Sequence, residues 1–241
     1  MKVDAITDIG LVRKQNEDDV KTGLLPDGAW AVVCDGMGGA KAGEVASQNA
    51  VQAIVDSVTK NYSEGASDNT IKYLLHGALC DANTVIFNLS NAYESLSGMG
   101  TTAVVVLVSQ GKAHVCHAGD SRAYLLREDQ IIRMTKDHSV VQELIDSGTL
   151  TEEEAKKHPQ RNIITRCLGV REAVEPDYSE YPLEPGDLLL LCSDGLSNYI
   201  SEEELLEQAK QLDPASLLQK LVADAKERGG NDNITIAVIE N

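Results

Sequence analysis

The chain has 241 residues, 42% of them hydrophobic, with a single Trp and a single Phe, so any core it builds is substantial and mostly aliphatic. Its 38 acidic residues against 21 basic ones give a formal net charge of −17. That balance argues against nucleic acid or an anionic membrane as the general partner, because binding phosphate backbones needs Lys and Arg in excess. An acidic protein that handles phosphate needs cations to do so, although most of its carboxylates simply solvate the surface. The five cysteines are odd in number and form no Cys-x-x-Cys pair, which indicates neither a disulfide framework nor a thiolate zinc site. No apolar signal segment opens the chain, and the longest apolar runs, 103–108 and 188–192, are strand-length and too short for a membrane span. A cytoplasmic protein that does not enter a membrane is expected.

Residues 2–9 alternate as a strand, and a charged loop carrying Arg13, Glu17 and Asp18 follows. Residues 20–25 and 29–34 read as a hairpin about Pro26-Asp27-Gly28. The second arm, Val32-Val33-Cys34, runs into Asp35 and an immediate glycine turn, Gly36 to Gly39. Helical spacing runs from Ala40 to about Tyr62, with Val51, Ile54, Val55 and Val58 as its apolar stripe, and again from Thr70 to about Tyr93. Residues 101–109 and 112–118 form a hairpin turning at Gln110-Gly111, followed by strands at 123–127 and 130–134. A helix follows His138 and stops at Gly148, and Thr151 to Glu154 reads as a capping box. A basic, irregular stretch covers 156–171. Strands near 173–182 and 187–193 precede helices at 201–210 and 214–228, opened by Ser201 and Asp213-Pro214. Ile234 to Ile239 is a final strand. Strands and helices come in blocks rather than in βαβ alternation, which favours antiparallel sheets with helices packed outside, in one domain.

Glu17-Asp18, Asp35, Asp120, Asp194 and Asp232 each fall where a strand starts or stops. Strand ends on one edge of a sandwich can converge, and converging carboxylates repel unless protonated or neutralised by cations. An oxygen-only cluster suits the hard ions Mg²⁺ or Mn²⁺, two of which can clamp a phosphoryl group. One Asp-Gly alone is more often a turn than a ligand, but here Asp35-Gly36 and Asp194-Gly195 both follow apolar strands. Arg13 has the geometry to hold phosphate oxygens; an ion pair with Glu17 or Asp18 fits its position as well.

The ordered set Arg13-x-x-x-Glu17-Asp18, Asp35-Gly36-Met37-Gly38-Gly39, Gly100-Thr101-Thr102, Gly119-Asp120-Ser121-Arg122, Asp137-His138, Ser193-Asp194-Gly195 and Asp232-Asn233-Ile234-Thr235 resembles the PPM family, the type 2C metal-dependent Ser/Thr protein phosphatases, in its short bacterial form. The likeness spans essentially the whole chain. It implies an α+β fold, an αββα four-layer sandwich of two antiparallel sheets flanked by helices, as a single catalytic domain over 1–241. It implies two core Mn²⁺ or Mg²⁺ ions, with Asp35 bridging them, the Gly36 carbonyl as a ligand, and Asp194 and Asp232 as further ligands. Asp120 takes the position that, with Asp194, holds a third and weaker ion. Glu17 holds metal-bound water, Asp18 orients or deprotonates the attacking water, Asn233 supports the ligands, and Arg13 binds substrate phosphate. The implied reaction hydrolyses phosphoserine and phosphothreonine by metal-activated water with no phosphoenzyme. Phosphorylated proteins, including a bacterial Ser/Thr kinase, are the implied partners, and a monomer is expected. Met37 departs from relatives that carry a candidate general acid there, so the leaving-group proton has to come from elsewhere, for instance water on the third ion. Lys156 to Arg161 falls in the region of the family's flap and could receive phosphopeptides, or could be an ordinary solvated loop.

Two alternatives compete. Cys116-x5-Arg122 spells the phosphate loop of cysteine-dependent phosphatases, but Asp120 would put a negative charge inside that cradle. A non-catalytic, phosphoprotein-binding pseudophosphatase would also fit the fold, although all the expected ligands are present. His114 and His117, three apart on a strand, point to opposite faces and are poor co-ligands.

Overall fold

A computed structural model describes residues 1–39 and 42–241. Two antiparallel sheets stack face to face. The first has the order β1(Lys2–Asp8), β11(Ile234–Glu240), β10(Leu188–Cys192), β7(Arg122–Arg127), β8(Gln130–Arg133). The second has the order β2(Asp18–Leu25), β3(Gly28–Met37), β5(Ala103–Ser109), β6(Lys112–Ala118), β9(Asp177–Pro182), with the two-residue β4(Gly100–Thr101) beside β3. The long helices α1(Ala42–Asn61) and α2(Asp68–Ala92) cover the second sheet, and α5(Asp194–Ser197), α6(Glu202–Gln211) and α7(Pro214–Glu227) cover the first. Two short helices, α3(Val140–Asp146) and α4(Glu152–Ala155), lie in the segment between β8 and β9. This is the four-layer α+β sandwich that the family resemblance implies.

Strand alternation builds the layers. On β3, Val32 and Cys34 face the α1/α2 layer, while Ala31 and Val33 meet Leu189 and Leu191 of the opposite sheet. On β10, Leu190 and Cys192 turn outward to Leu217, Leu218 and Leu221 of α7. Both faces of each central strand are therefore buried, which is why the sequence shows continuous apolar runs there instead of alternation.

Local chemistry sets the element ends. Ser67, Ser139, Thr151, Ser201 and Asp213 each accept a backbone N–H of the first helical turn, and the boxes at Thr151 and Ser201 are complete. Gln110 and Gly111, at φ 49° and 74°, make the tight β5–β6 turn. Several boundaries differ from the sequence expectation. Helix α2 starts at Asp68, two residues before the Thr70 expected from the spacing, because Ser67 caps it. Ala40 and Lys41, placed by the sequence at the start of the first helix, lie outside the described residues. β3 does not turn after Asp35 but continues to Met37, since β4 supplies partners at Gly36↔Thr101 and Met37↔Gly100. The one-turn helix at Asp194 had no periodicity to announce it.

Leu191 is fully buried between the sheets. Leu191→Ala should lower the unfolding free energy by about 2–5 kcal/mol in urea titration; a change within about 0.5 kcal/mol would contradict this packing.

Candidate functional site

Both sheets deliver acids to one rim. Asp18 opens β2 and lies directly across the ladder from Asp35 of β3. Asp120 sits in the break between β6 and β7, Asp194 opens α5 two residues after β10, and Asp232 stands two residues before β11. Five chain segments far apart in sequence meet there.

Their electrostatics show how tightly they meet. Burial raises the Asp18 carboxyl to about 7; hydrogen bonds from Thr235 and Ser193 oppose the rise, and the charges of Asp194 and Asp232 add to it. Burial, followed by the charge of Asp194, raises Asp120 to about 7 as well. Asp35 is pushed well above the carboxylate range by burial and then by Asp18, Asp194, Asp120 and Asp232 together. Asp194 is raised by burial and next by Asp232. Burial raises Glu17 too, against the opposing pull of Arg13.

Backbone and hydroxyl contacts fix these acids in place. Asp35 N–H donates to Thr102 Oγ1 at 3.0 Å, and its carbonyl accepts from the Thr102 N–H and the Thr101 hydroxyl, each at 2.8 Å. Thr102 Oγ1 is 2.7 Å from Ser121 Oγ, next to Asp120. Ser193 Oγ donates to Asp18 Oδ2 at 2.8 Å and accepts the Thr235 N–H at 3.1 Å, which ties β2 to the opposite sheet. Buried Asn233 fastens the 9–17 loop: its Oδ1 accepts the Glu17 N–H at 2.8 Å, and its Nδ2 donates to the Ile9 and Gln15 carbonyls at 3.0 Å each. Arg13, on the same loop, donates to Asp232 Oδ2 at 2.7 Å and lies 3.7 Å from Glu17 Oε2. The ion pair weighed from the sequence therefore exists, with Asp232 in place of Asp18.

The cluster fits hard cations on three grounds. Asp194 Oδ1 is buried without a hydrogen-bond partner. A Cβ on Gly43 would stand 2.5 Å from Glu17 Oε1 and 2.8 Å from the Gly36 carbonyl oxygen, so glycine there keeps these two oxygens accessible to each other's surroundings. Gly36 has no room for a Cβ either, which would lie 2.0 Å from the Gly43 carbonyl. The donors are all oxygens, the set Mg²⁺ and Mn²⁺ prefer. No three of these acids bring oxygens within 4.8 Å of one another; the two groups that do so among the described residues, His117/His138/Asp177 and Asp68/His114/Glu180, lie elsewhere.

Ser193, Thr102, Ser121 and Gly43 have roles that their positions in the chain do not announce. The first three stand inside the ordered motifs, and Gly43 carries no signal because its neighbours are distant in the chain. The Cys116/Arg122 alternative fails on geometry. Cys116 is wholly buried within β6, its thiol pushed up to about 12 by burial, and Arg122 is held by Asp137 at 2.7 Å. His114 and His117 do face opposite sides, toward Tyr178 and toward the Lys136 carbonyl. Lys156 to Arg161 is largely exposed, with Lys156 paired to Glu153.

Residues 12–231 match the family model described as Protein phosphatase 2C. The chain is 37% identical to the serine/threonine phosphatase stp of Listeria innocua, over 97% of this chain and 93% of that one. It superposes on the serine/threonine phosphatase Stp1 of Staphylococcus aureus with a TM-score of 0.92 at 34% identity, covering 100% of this chain and 95% of that one. The catalytic domain of the serine/threonine protein phosphatase PstP, solved in complex with two manganese ions, gives a TM-score of 0.85 at 36% identity, with 98% and 96% covered.

Metal ions binding among the raised carboxyls of Asp18, Asp35, Asp120 and Asp194 would have to displace their protons. The rise in melting temperature on adding Mn²⁺ should therefore grow between pH 5 and pH 8, and taking the difference against the metal-free protein cancels groups elsewhere. At a hundred times the dissociation constant the stabilisation is about 2.7 kcal/mol, and Asp35→Asn should remove most of it. A pH-independent increment in differential scanning fluorimetry would contradict this reading of the cluster.

Proposed function

The chain belongs to the protein phosphatase 2C family of metal-dependent serine/threonine phosphatases, and from that premise we propose how its own residues carry the reaction. The observation that carries the assignment is the convergence of Asp18, Asp35, Asp120, Asp194 and Asp232 from both sheets on one rim beside Arg13, with an unpaired Asp194 oxygen among them. Asp35, the Gly36 carbonyl, Asp194 and Asp232 are the groups that would hold two Mn²⁺ or Mg²⁺ ions. Bound there, the ions neutralise the phosphoryl charge and make water a competent nucleophile near neutral pH.

Arg13 stands exposed at the rim, where its planar fork suits two phosphate oxygens. Receiving phosphate requires it to exchange the Asp232 carboxylate for the substrate, which is feasible when that carboxylate is engaged by a cation. Asp18, held by Ser193, accepts a proton from the attacking water. The new oxygen–phosphorus bond forms in line as the bond to the Ser or Thr oxygen breaks, and that oxygen leaves as the free hydroxyl by taking a proton from a second water at the exposed rim. Glu17 orients water beside the ions, and Asn233 keeps Glu17 and Arg13 in register through its three contacts to the loop. Asp120, with Asp194, forms a third and weaker cation position. Met37 has no proton to give.

Residues 1–241 act as one catalytic domain and as a monomer on phosphorylated proteins, a Ser/Thr kinase among them. A cytoplasmic setting is supported by five free cysteines and by the lack, among the described residues, of any helix long and apolar enough to cross a membrane. The exposed Lys156 to Arg161 stretch is a place for substrate peptides on an otherwise acidic surface.

Asp35→Asn should remain folded and lose at least about 100-fold of the Mn²⁺-dependent hydrolysis of a phosphothreonine peptide, a loss of about 2.7 kcal/mol of transition-state stabilisation. Full activity would overturn the bridging assignment. Asp120→Ala should keep the thermal stabilisation from the two tight ions while turnover falls; unchanged turnover at saturating Mn²⁺ removes the third position. Cys116→Ser should leave turnover intact.

A further inference from the structure

A second group of potential ligands stands at the far end of the β6 strand. His114 is fully buried, and its side chain shares the helix-facing side of the sheet with Cys116. Its Nδ1 is 2.8 Å from the Tyr178 hydroxyl, which is itself 3.3 Å from Glu180 Oε2. Its Nε2 is buried with no hydrogen-bond partner and lies 3.8 Å from an oxygen of Asp68, the first residue of α2. Glu180, the register partner of His114 on the edge strand β9, completes a set whose ligand atoms all lie within 4.8 Å of one another.

Neither neutral form of the imidazole satisfies this arrangement. With the proton on Nδ1, that atom donates to Tyr178, Tyr178 donates to Glu180, and Nε2 aims a bare lone pair toward a carboxylate. With the proton on Nε2, a buried N–H has no acceptor within hydrogen-bond range and stands 3.8 Å from Asp68 Oδ1. Burial opposes the doubly protonated form. A divalent cation between Nε2 and the two carboxylates removes the conflict, and the Nδ1–Tyr178–Glu180 chain then fixes the ring as such sites require.

We propose that His114, Asp68 and Glu180 bind a divalent transition-metal ion of the Zn²⁺ class at a site separate from the catalytic rim. Zinc bonds of about 2.0–2.2 Å place tetrahedral ligands about 3.4 Å apart, so the 3.8 Å from the imidazole to Asp68 closes with a small movement, and the exposed Glu180 side chain, whose oxygen lies within 4.8 Å of both, closes with a larger one. Lys112 pairs with Oδ2 of Asp68 and leaves Oδ1 facing the imidazole. Counting that lysine, two carboxylates and a neutral imidazole, the site carries a net charge of −1 before any ion arrives. The four residue steps from His114 to Ala118, where β6 ends short of Asp120, already span about 13 Å, and no residue belongs to both sites. The ion ties the first turn of α2 to β6 and to the sheet edge. An imidazole donor also separates its metal preference from that of the all-oxygen rim.

The test titrates Zn²⁺ into the full chain in saturating Mg²⁺, for wild type, His114→Gln and Glu180→Gln, with bound zinc read by calorimetry and by elemental analysis after desalting. Wild type should hold one more equivalent of zinc than His114→Gln, and Glu180→Gln should bind that equivalent at least about tenfold more weakly. Mg²⁺-dependent phosphatase activity should be alike in all three. Equal zinc stoichiometry in wild type and His114→Gln overturns the proposal. If the buried variant does not fold, Glu180→Gln at its exposed position decides alone, and unchanged zinc affinity there overturns it.

Discussion

Repulsion among Asp18, Asp35, Asp120 and Asp194 is the constraint on which the rest of the molecule depends. Each is raised by burial, and each feels the charge of at least one other acid on the rim. A chain left to itself would spread such groups apart. Here rigid strands hold them together, because the strands that deliver them are buried on both faces and cannot shift without opening the core. The aliphatic core and the acidic rim are thus two ends of one device. Packing energy stored in the sheets keeps an electrostatically unfavourable cluster together.

The supporting contacts follow the same logic. Ser193 joins Asp18 on one sheet to Thr235 on the other, so the alignment of the two sheets is recorded in a single hydroxyl. Asn233 does for the 9–17 loop what strand pairing does elsewhere, since three hydrogen bonds from one buried amide fix a segment with no ladder of its own. Gly36 and Gly43 allow β3 and the start of α1 to approach closer than any side chain permits. Position on this rim therefore comes from backbone proximity as much as from the acids themselves.

The Asp68/His114/Glu180 group differs from the rim in kind. The rim gathers oxygens and leaves one of them unpaired; the second group gathers an imidazole nitrogen with two carboxylates and leaves the nitrogen unpaired. By contrast, the stacked His117 and His138 rings are engaged by the Lys136 carbonyl, the Gly119 N–H and Arg166, so that cluster is satisfied by protein atoms.

Much of this was legible in the chain. Apolar runs bounded by turn residues located the core strands, and capping residues located Thr151, Ser201 and Asp213 because those signals are local. The rim acids stood out by their places at strand ends, antiparallel sheets with outer helices by the blocks of elements, and the four-layer arrangement by the resemblance that the ordered motifs carry. What needed the tertiary structure were facts about pairs distant in sequence: that β3 runs past Asp35 because β4 lies beside it, that Arg13 pairs with Asp232, that Ser193 reaches Asp18, and that His114 meets Asp68. Sequence periodicity reports which face of an element is buried. It carries no record of which polar atom stands opposite, and on this rim that opposition helps raise the carboxyls of Asp18, Asp35, Asp120 and Asp194.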